Sequence, residues 1–98
     1  MDVEFDDQDL GRLETDRSVA GGWPPAIVRG YRKVMGAIRA ATDERDLYNM
    51  KGLRFKKRKP PQDHHHSLRI NDQWRLIVEL RGSGPNKKIG VIEITDPH

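Results

Sequence analysis

No cysteine occurs anywhere in the 98-residue sequence. Disulfide bracing is therefore excluded, and with it thiolate metal sites and any cysteine nucleophile. No apolar run approaches the roughly 20 residues that cross a bilayer as a helix. The opening Met1-Asp2-Val3-Glu4 is acidic where a secretory signal is basic and then apolar. A cytoplasmic protein with no membrane partner is the expectation. Aromatic residues make up 6% of the chain and hydrophobic ones 35%, so the core is thin and residues 1–98 are expected to form a single domain. Also missing are a glycine-rich phosphate loop, a G-x-S-x-G nucleophile elbow and a zinc-binding H-E-x-x-H helix.

Charge is abundant, at 34% of residues, and unevenly spread. Residues 1–50 carry seven Lys/Arg against ten Asp/Glu, a net of −3; residues 51–98 carry eleven against five, a net of +6. A scattered excess would only keep a small domain soluble. This one is clustered, which points to a polyanionic partner for the second half.

The periodicity divides the chain in the same place. Val3-Glu4-Phe5 reads as a short first strand. Asp6, Asp7 and Asp9 put acid at the start of a short helix carrying Leu10 and Leu13, where negative charge meets the positive end of the helix dipole. Trp23-Pro24-Pro25 opens a second helix, because proline's fixed φ suits a first turn. Ile27, Tyr31, Val34, Met35 and Ile38 give it one apolar face as far as about Ala41. Gly30 and Gly36 each weaken it by roughly 1 kcal/mol relative to alanine. Thr42-Asp43-Glu44 caps one further helical turn holding Leu47 and Tyr48.

After Gly52 the period becomes two. Leu53 and Phe55 share one face of an expected strand, with Arg54 and Lys56 on the other. Lys57 to Lys59 complete a basic run that Pro60-Pro61 ends. A further strand spans Ser67 to Ile70, with Leu68 and Ile70 inward, and Asn71-Asp72-Gln73 forms a tight turn. Trp74, Leu76, Val78 and Leu80 then alternate with Arg75, Ile77, Glu79 and Arg81, and the last strand runs from Ile89 to Thr95. The expected fold is α+β: a short N-terminal strand, two helices, then an antiparallel sheet meander packed on the helices.

Alternation also decides which polar groups share a surface. Arg69 and Arg75 flank one turn, each opposite its strand's apolar residues, and with Lys56, Lys57 and Lys59 they make a cationic concavity suited to phosphate oxygens. The competing reading is a solvated charged face. The triplet His64-His65-His66 raises a metal hypothesis, but adjacent histidines on a strand point to opposite faces. At most His64 and His66 converge, with no carboxylate placed to complete the shell, so neither metal nor cofactor is expected. His66 is a candidate proton donor in a phosphate site, its ordinary pKa lying near neutrality. At the other end, Asp96-Pro97-His98 delivers a carboxylate and an imidazole to the sheet edge. Trp74 has the spacing of a core residue, not of a base-stacking platform.

The run Ser67-Leu68-Arg69-Ile70-Asn71-Asp72-Gln73-Trp74-Arg75, followed by a hairpin and Val91-Ile92-Glu93-Ile94-Thr95-Asp96-Pro97-His98, resembles the HigB, or plasmid-maintenance killer, branch of the RelE/ParE toxin superfamily. That branch reads W-S-I-R-I-N-D-Q-W-R and ends in D-Y-H. The resemblance is strong over the last half of the chain; the first half agrees in the order of its elements. It implies a RelE-like fold and a toxin of a type II toxin–antitoxin system that cleaves mRNA on the ribosome by attack of the ribose 2′-hydroxyl, without a metal. It further implies a cognate antitoxin, a HigA-like helix-turn-helix protein, with ribosome and mRNA as the other partners.

Carried over by position, Arg75 steadies the phosphate, Asp96 and His98 belong to the acid-base set, and Lys59 matches the lysine of the family's H-P-L-K-G segment. Lys56 stands where that segment has histidine and completes the candidate catalytic group. Arg54, Lys57, Arg58, His66 and Arg69 are the candidate RNA-contacting residues. Pro60 replaces the segment's glycine, His66 the tryptophan before the serine, and Pro97 the tyrosine of D-Y-H. Two rivals follow from these departures: a ParE-like inhibitor of DNA gyrase, and a catalytically weak RNA-binding homologue.

Overall fold

The acidic start of the first helix is a capping device. Asp7 sits in extended conformation and its side chain accepts from the Asp9 backbone N–H at 2.9 Å, fixing the start of α1 (Gln8–Thr15). Before it lies β1 (Asp2–Phe5); after it comes α2 (Pro25–Ala40), with Pro25 in the first turn as its φ allows. Asp43 repeats the device for α3 (Glu44–Asn49), accepting from Arg45 N–H at 2.9 Å. The computed structural model describes residues 1–18, 20–84 and 87–96.

The remaining elements are a 3-10 turn (Lys51–Leu53) and the strands β2 (Lys56–Lys57), β3 (His66–Arg69), β4 (Arg75–Arg81) and β5 (Lys88–Thr95). They form one five-stranded sheet in the order β1-β5-β4-β3-β2. From β2 to β5 it is the expected antiparallel meander, while β1 joins β5 in parallel, Val3 opposite Ile89. The sheet is therefore mixed, and the sequence reading of a lone N-terminal strand extends to a parallel edge.

One element differs from the pattern. Leu53 to Phe55 do not form a strand: Leu53 ends the 3-10 turn and Arg54 adopts the left-handed region at φ 47°. Leu53 and Phe55 are both buried, so the alternation reported burial correctly although the backbone between them is a turn. Within the expected strand and basic run, Lys56 and Lys57 are the residues that pair with β3.

The core lies between the helices and one face of the sheet. Leu10 and Leu13 of α1, Ile27, Tyr31, Val34, Met35 and Ile38 of α2, and Leu47 of α3 meet Leu68, Leu76, Val78, Ile89 and Val91. Tyr31 is fully buried and donates its hydroxyl proton to the Leu10 carbonyl at 2.7 Å, which ties α2 to α1 while satisfying the phenol. Trp74 packs edge-to-face on Trp23, centroids 5.5 Å apart, at the margin of this core. Among the described residues no helix is long and apolar enough to cross a membrane.

Candidate nucleic-acid interface

The face of the sheet turned away from the helices is organised by register. Lys56 pairs with Ser67, Ser67 with Ile77 and Ile77 with Glu93, so these four stand in one row across β2, β3, β4 and β5. The neighbouring row is Arg69, Arg75 and Thr95. A bulge in β5 beside Ile77 and Val78 then shifts the register. Ile77 is 2% exposed yet stands outside the main core cluster, forming an apolar floor on this second face.

Over that floor the basic run folds back. Lys56, Lys57, Arg58, Lys59, Ser67, Arg75 and Ile77 line an open concavity of about 290 Å³. Five of these seven are cations and none is acidic. The return is held by the backbone, with Arg58 N–H donating to the His65 carbonyl at 3.0 Å just before β3 begins. Ser67 and Ile77 were not singled out as site residues from the sequence; the period-2 alternation that selected Arg69 and Arg75 also selects them.

Arg75 is fixed at the end of the groove. Its Nη1 donates to the Asn71 carbonyl at 2.6 Å and the Trp74 carbonyl at 3.2 Å. Those carbonyls are positioned by the turn, because Asn71 Oδ1 accepts from both the Gln73 and Trp74 N–H groups, at 2.9 and 2.8 Å. Asp96 follows Thr95, the partner of Arg75, and its Oδ2 accepts from Gln73 Nε2 at 2.8 Å. The turn between β3 and β4 thus touches both the candidate phosphate-binding arginine and the candidate carboxylate.

The remaining candidates disperse. Arg69 pairs in register with Arg75 but lines a different cleft, with Gly30 and Val34 of α2 and the 3-10 turn, and its guanidinium binds Asp72. Hydrogen bonding from Arg69 holds the Asp72 carboxyl below its ordinary pKa, with Arg54 and Arg75 adding smaller effects through space. Arg54 stands beside that pair, outside the groove. His66 is turned to the helix face. Its ring stacks on Phe55 with centroids 4.8 Å apart, and its Nε2 lies 3.2 Å from the Tyr48 hydroxyl. Burial, and then the charge of Lys57, push its pKa below the usual imidazole value. The expectation that His66 joins the phosphate site is corrected accordingly: as β3 alternates, Ser67 takes the groove and His66 the core. His98 and Pro97 lie outside the described residues.

The histidine triplet also departs from its sequence reading. His64 and His65 precede β3 in a turn, where strand alternation does not apply, and their rings approach to 4.0 Å. Glu79 joins them from β4, with His65 Nε2 to Glu79 Oε2 at 3.6 Å. The converging pair is therefore His64 with His65, and a carboxylate is present.

Comparison with known proteins places this architecture. A structure described as a YoeB/ParE toxin from Agrobacterium tumefaciens superposes with a TM-score of 0.57 over 100% of both chains at 15% sequence identity, which establishes a shared fold. No match was found among curated protein sequences. A family model described as "RelE-like toxin of type II toxin-antitoxin system HigB" matches residues 3–98, nearly the whole chain. With the helices, the meander and the S-L-R-I-N-D-Q-W-R turn all falling within that match, the chain belongs to the HigB-like toxins of type II toxin–antitoxin systems, proteins whose partner is an antitoxin.

Proposed function

We propose that this toxin is a ribosome-dependent mRNA endoribonuclease that inhibits translation. The observation carrying the reading is the basic concavity: five cations over an apolar floor, acid-free along its lining, with a rigidly held arginine at one end. Bidentate guanidinium and compact ammonium groups suit a ribose-phosphate chain, and cations fixed before the reaction stabilise charge that develops on phosphorus.

In the reaction the ribose 2′-oxygen attacks the adjacent phosphorus while its proton passes to a base. The P–O5′ bond breaks, a cyclic phosphate forms, and an acid protonates the departing 5′-oxygen. Arg75 steadies the phosphate oxygens. Lys56 and Lys59 supply charge from the facing wall, and Asp96 and His98 form the acid-base set. Arg58 and Lys57 hold the flanking backbone. The antitoxin, a HigA-like helix-turn-helix protein, covers the groove and blocks this contact.

Purified toxin added to translating ribosomes, with mRNA ends mapped by primer extension, tests the reading. Cuts confined to the decoding site that vanish with Arg75→Ala support it. A folded protein that produces no cuts, or that inhibits gyrase supercoiling without cutting RNA, refutes it.

A further inference from the structure

We infer that His64, His65 and Glu79 form a binding site for a divalent transition-metal ion of the zinc class, separate from the residues proposed for catalysis. Their three ligand atoms lie within 4.8 Å of one another. Ligands at about 2.0–2.1 Å from a tetrahedral zinc are roughly 3.3 Å apart, so the 3.6 Å between His65 Nε2 and Glu79 Oε2 needs almost no adjustment. His64, the exposed member, supplies the third ligand by a small rotation of its ring. Two imidazoles and one carboxylate suit zinc, cobalt or nickel better than magnesium or calcium, which prefer oxygen alone.

The site is oriented from behind. Glu79 Oε1 accepts from Arg81 Nε at 3.1 Å, leaving Oε2 aimed at His65. Arg81 is itself clamped across β5 by Glu4 of β1 and by Asp6 just beyond it, with Nη2 to Asp6 Oδ2 at 2.8 Å and Nη1 to Glu4 Oε2 at 3.1 Å. Such outer partners fix the direction of a metal-binding carboxylate. The turn is held as well, since His65 N–H donates to the Gln62 carbonyl at 3.0 Å and the His65 carbonyl accepts from Arg58. The positive charge of Arg81 does not exclude a cation. Arg81 and Lys88 bring two positive charges against the three negative charges of Glu4, Asp6 and Glu79.

Three protein ligands leave a fourth position for water. An ion here links the turn that follows the basic run to the middle of the sheet, two residues along β4 from Ile77 at the groove floor. Occupancy would stiffen the groove wall. This inference does not depend on the nuclease reading, because it concerns different side chains and a different readout.

Untagged full-length toxin titrated with zinc in a calorimeter tests it, with cobalt absorption as a second readout of coordination number. One ion per chain is expected, with His64→Ala, His65→Ala and Glu79→Gln each weakening binding roughly tenfold or more. Cobalt should give the intense bands of a four-coordinate site. Circular dichroism of each variant separates lost binding from lost folding, and Glu79→Asp keeps the ligand type should Glu79→Gln misfold. No binding at micromolar zinc by folded wild-type protein overturns the inference, as does equal affinity in wild type and all three variants.

Discussion

Arg69 and Arg75 stand directly opposite each other on β3 and β4, yet the turn that joins their strands gives each guanidinium a different partner. Arg69 binds the Asp72 carboxylate, whereas Arg75 donates to the Asn71 and Trp74 carbonyls. Like charges facing across an antiparallel pair are destabilising. Here Asp72 neutralises one of them, while the other lines the basic concavity. Two arginines that look equivalent in the motif thereby differ in their surroundings, and the proposed phosphate contact falls to Arg75 alone.

The division predicts unequal substitutions. Arg75→Ala should lower ribosome-dependent cleavage by about 10²–10³-fold, the usual loss for one preorganised charge-stabilising group, and Arg75→Lys should fail to restore it because the bidentate fork is gone. Arg69→Ala removes a partly exposed ion pair, should cost under about 1 kcal/mol of stability, and should leave cleavage within a few-fold of wild type. Single-turnover assays on stalled ribosomes would measure both. Equal losses at the two positions would show that register, and not the partner of each guanidinium, decides their roles.

The basic wall makes a separate prediction about salt. For a single strand the slope of log affinity against log salt falls by about 0.7 for each phosphate contact removed. Lys56→Gln combined with Lys59→Gln should therefore flatten the slope by about 1.4 for a model single-stranded RNA, while Arg54→Gln, outside the groove, leaves it unchanged. Fluorescence anisotropy at several salt concentrations would measure it. An Arg54 effect as large as that of the lysine pair would mean that RNA does not follow the groove.

Much of this interface was legible in the sequence because period-2 alternation sorts side chains by face without reference to long-range contacts. Leu68 and Leu76 fell inward, and Arg69 and Arg75 outward, on that rule alone. It failed where the backbone leaves the strand. At Arg54 a left-handed turn replaces extended chain, and at His64-His65 a turn brings together two rings that a strand would separate. His66 was misplaced for a third reason: its residue type suggested chemistry, while its position beside outward Ser67 assigned it to the core. The parallel pairing of β1 with β5 joins the two ends of the chain, and no local pattern encodes that contact.

Helix α2 supplies a prediction in which two glycines that look alike in sequence diverge. A Cβ at Gly30 would meet Ile70 Cγ2 at 2.7 Å and the Ile70 carbonyl oxygen at 3.1 Å, whereas one at Gly36 meets nothing within 4 Å among the described residues. The side-chain methyl can move; the carbonyl belongs to the chain just beyond β3 and cannot. Gly30→Ala should destabilise by about 1–3 kcal/mol as an overpacked contact. Gly36→Ala should stabilise by roughly 0.5–1 kcal/mol through helix propensity. Urea denaturation of the two variants checks the opposite signs, and a gain in both would mean that α2 rides freely over the end of the sheet.

His66 predicts a specific pH dependence of stability. Its folded pKa is depressed below the ordinary 6.5, first by burial and then by Lys57, with Glu44 opposing, so between the two values the unfolded chain binds more protons than the folded one. Stability from this group is therefore full above pH 6.5 and declines as pH falls from there through the folded pKa. The carboxylates of Glu4, Asp6 and Asp72 act in a lower window. Their pKa values are depressed by Lys88, Arg81 and Arg69 below ordinary values of 4.5 for the glutamate and 3.8 for the aspartates, so their contribution is lost only on further acidification. His66→Phe keeps an aromatic ring on Phe55 and removes the titrating group, together with an Nδ1 that has no hydrogen-bond partner among the described residues. Thermal melts from about pH 8 to about pH 5 should show a falling midpoint in wild type and a flatter profile in His66→Phe. Parallel profiles would mean that the imidazole reaches water in the folded state and that the Phe55 stack does not bury it.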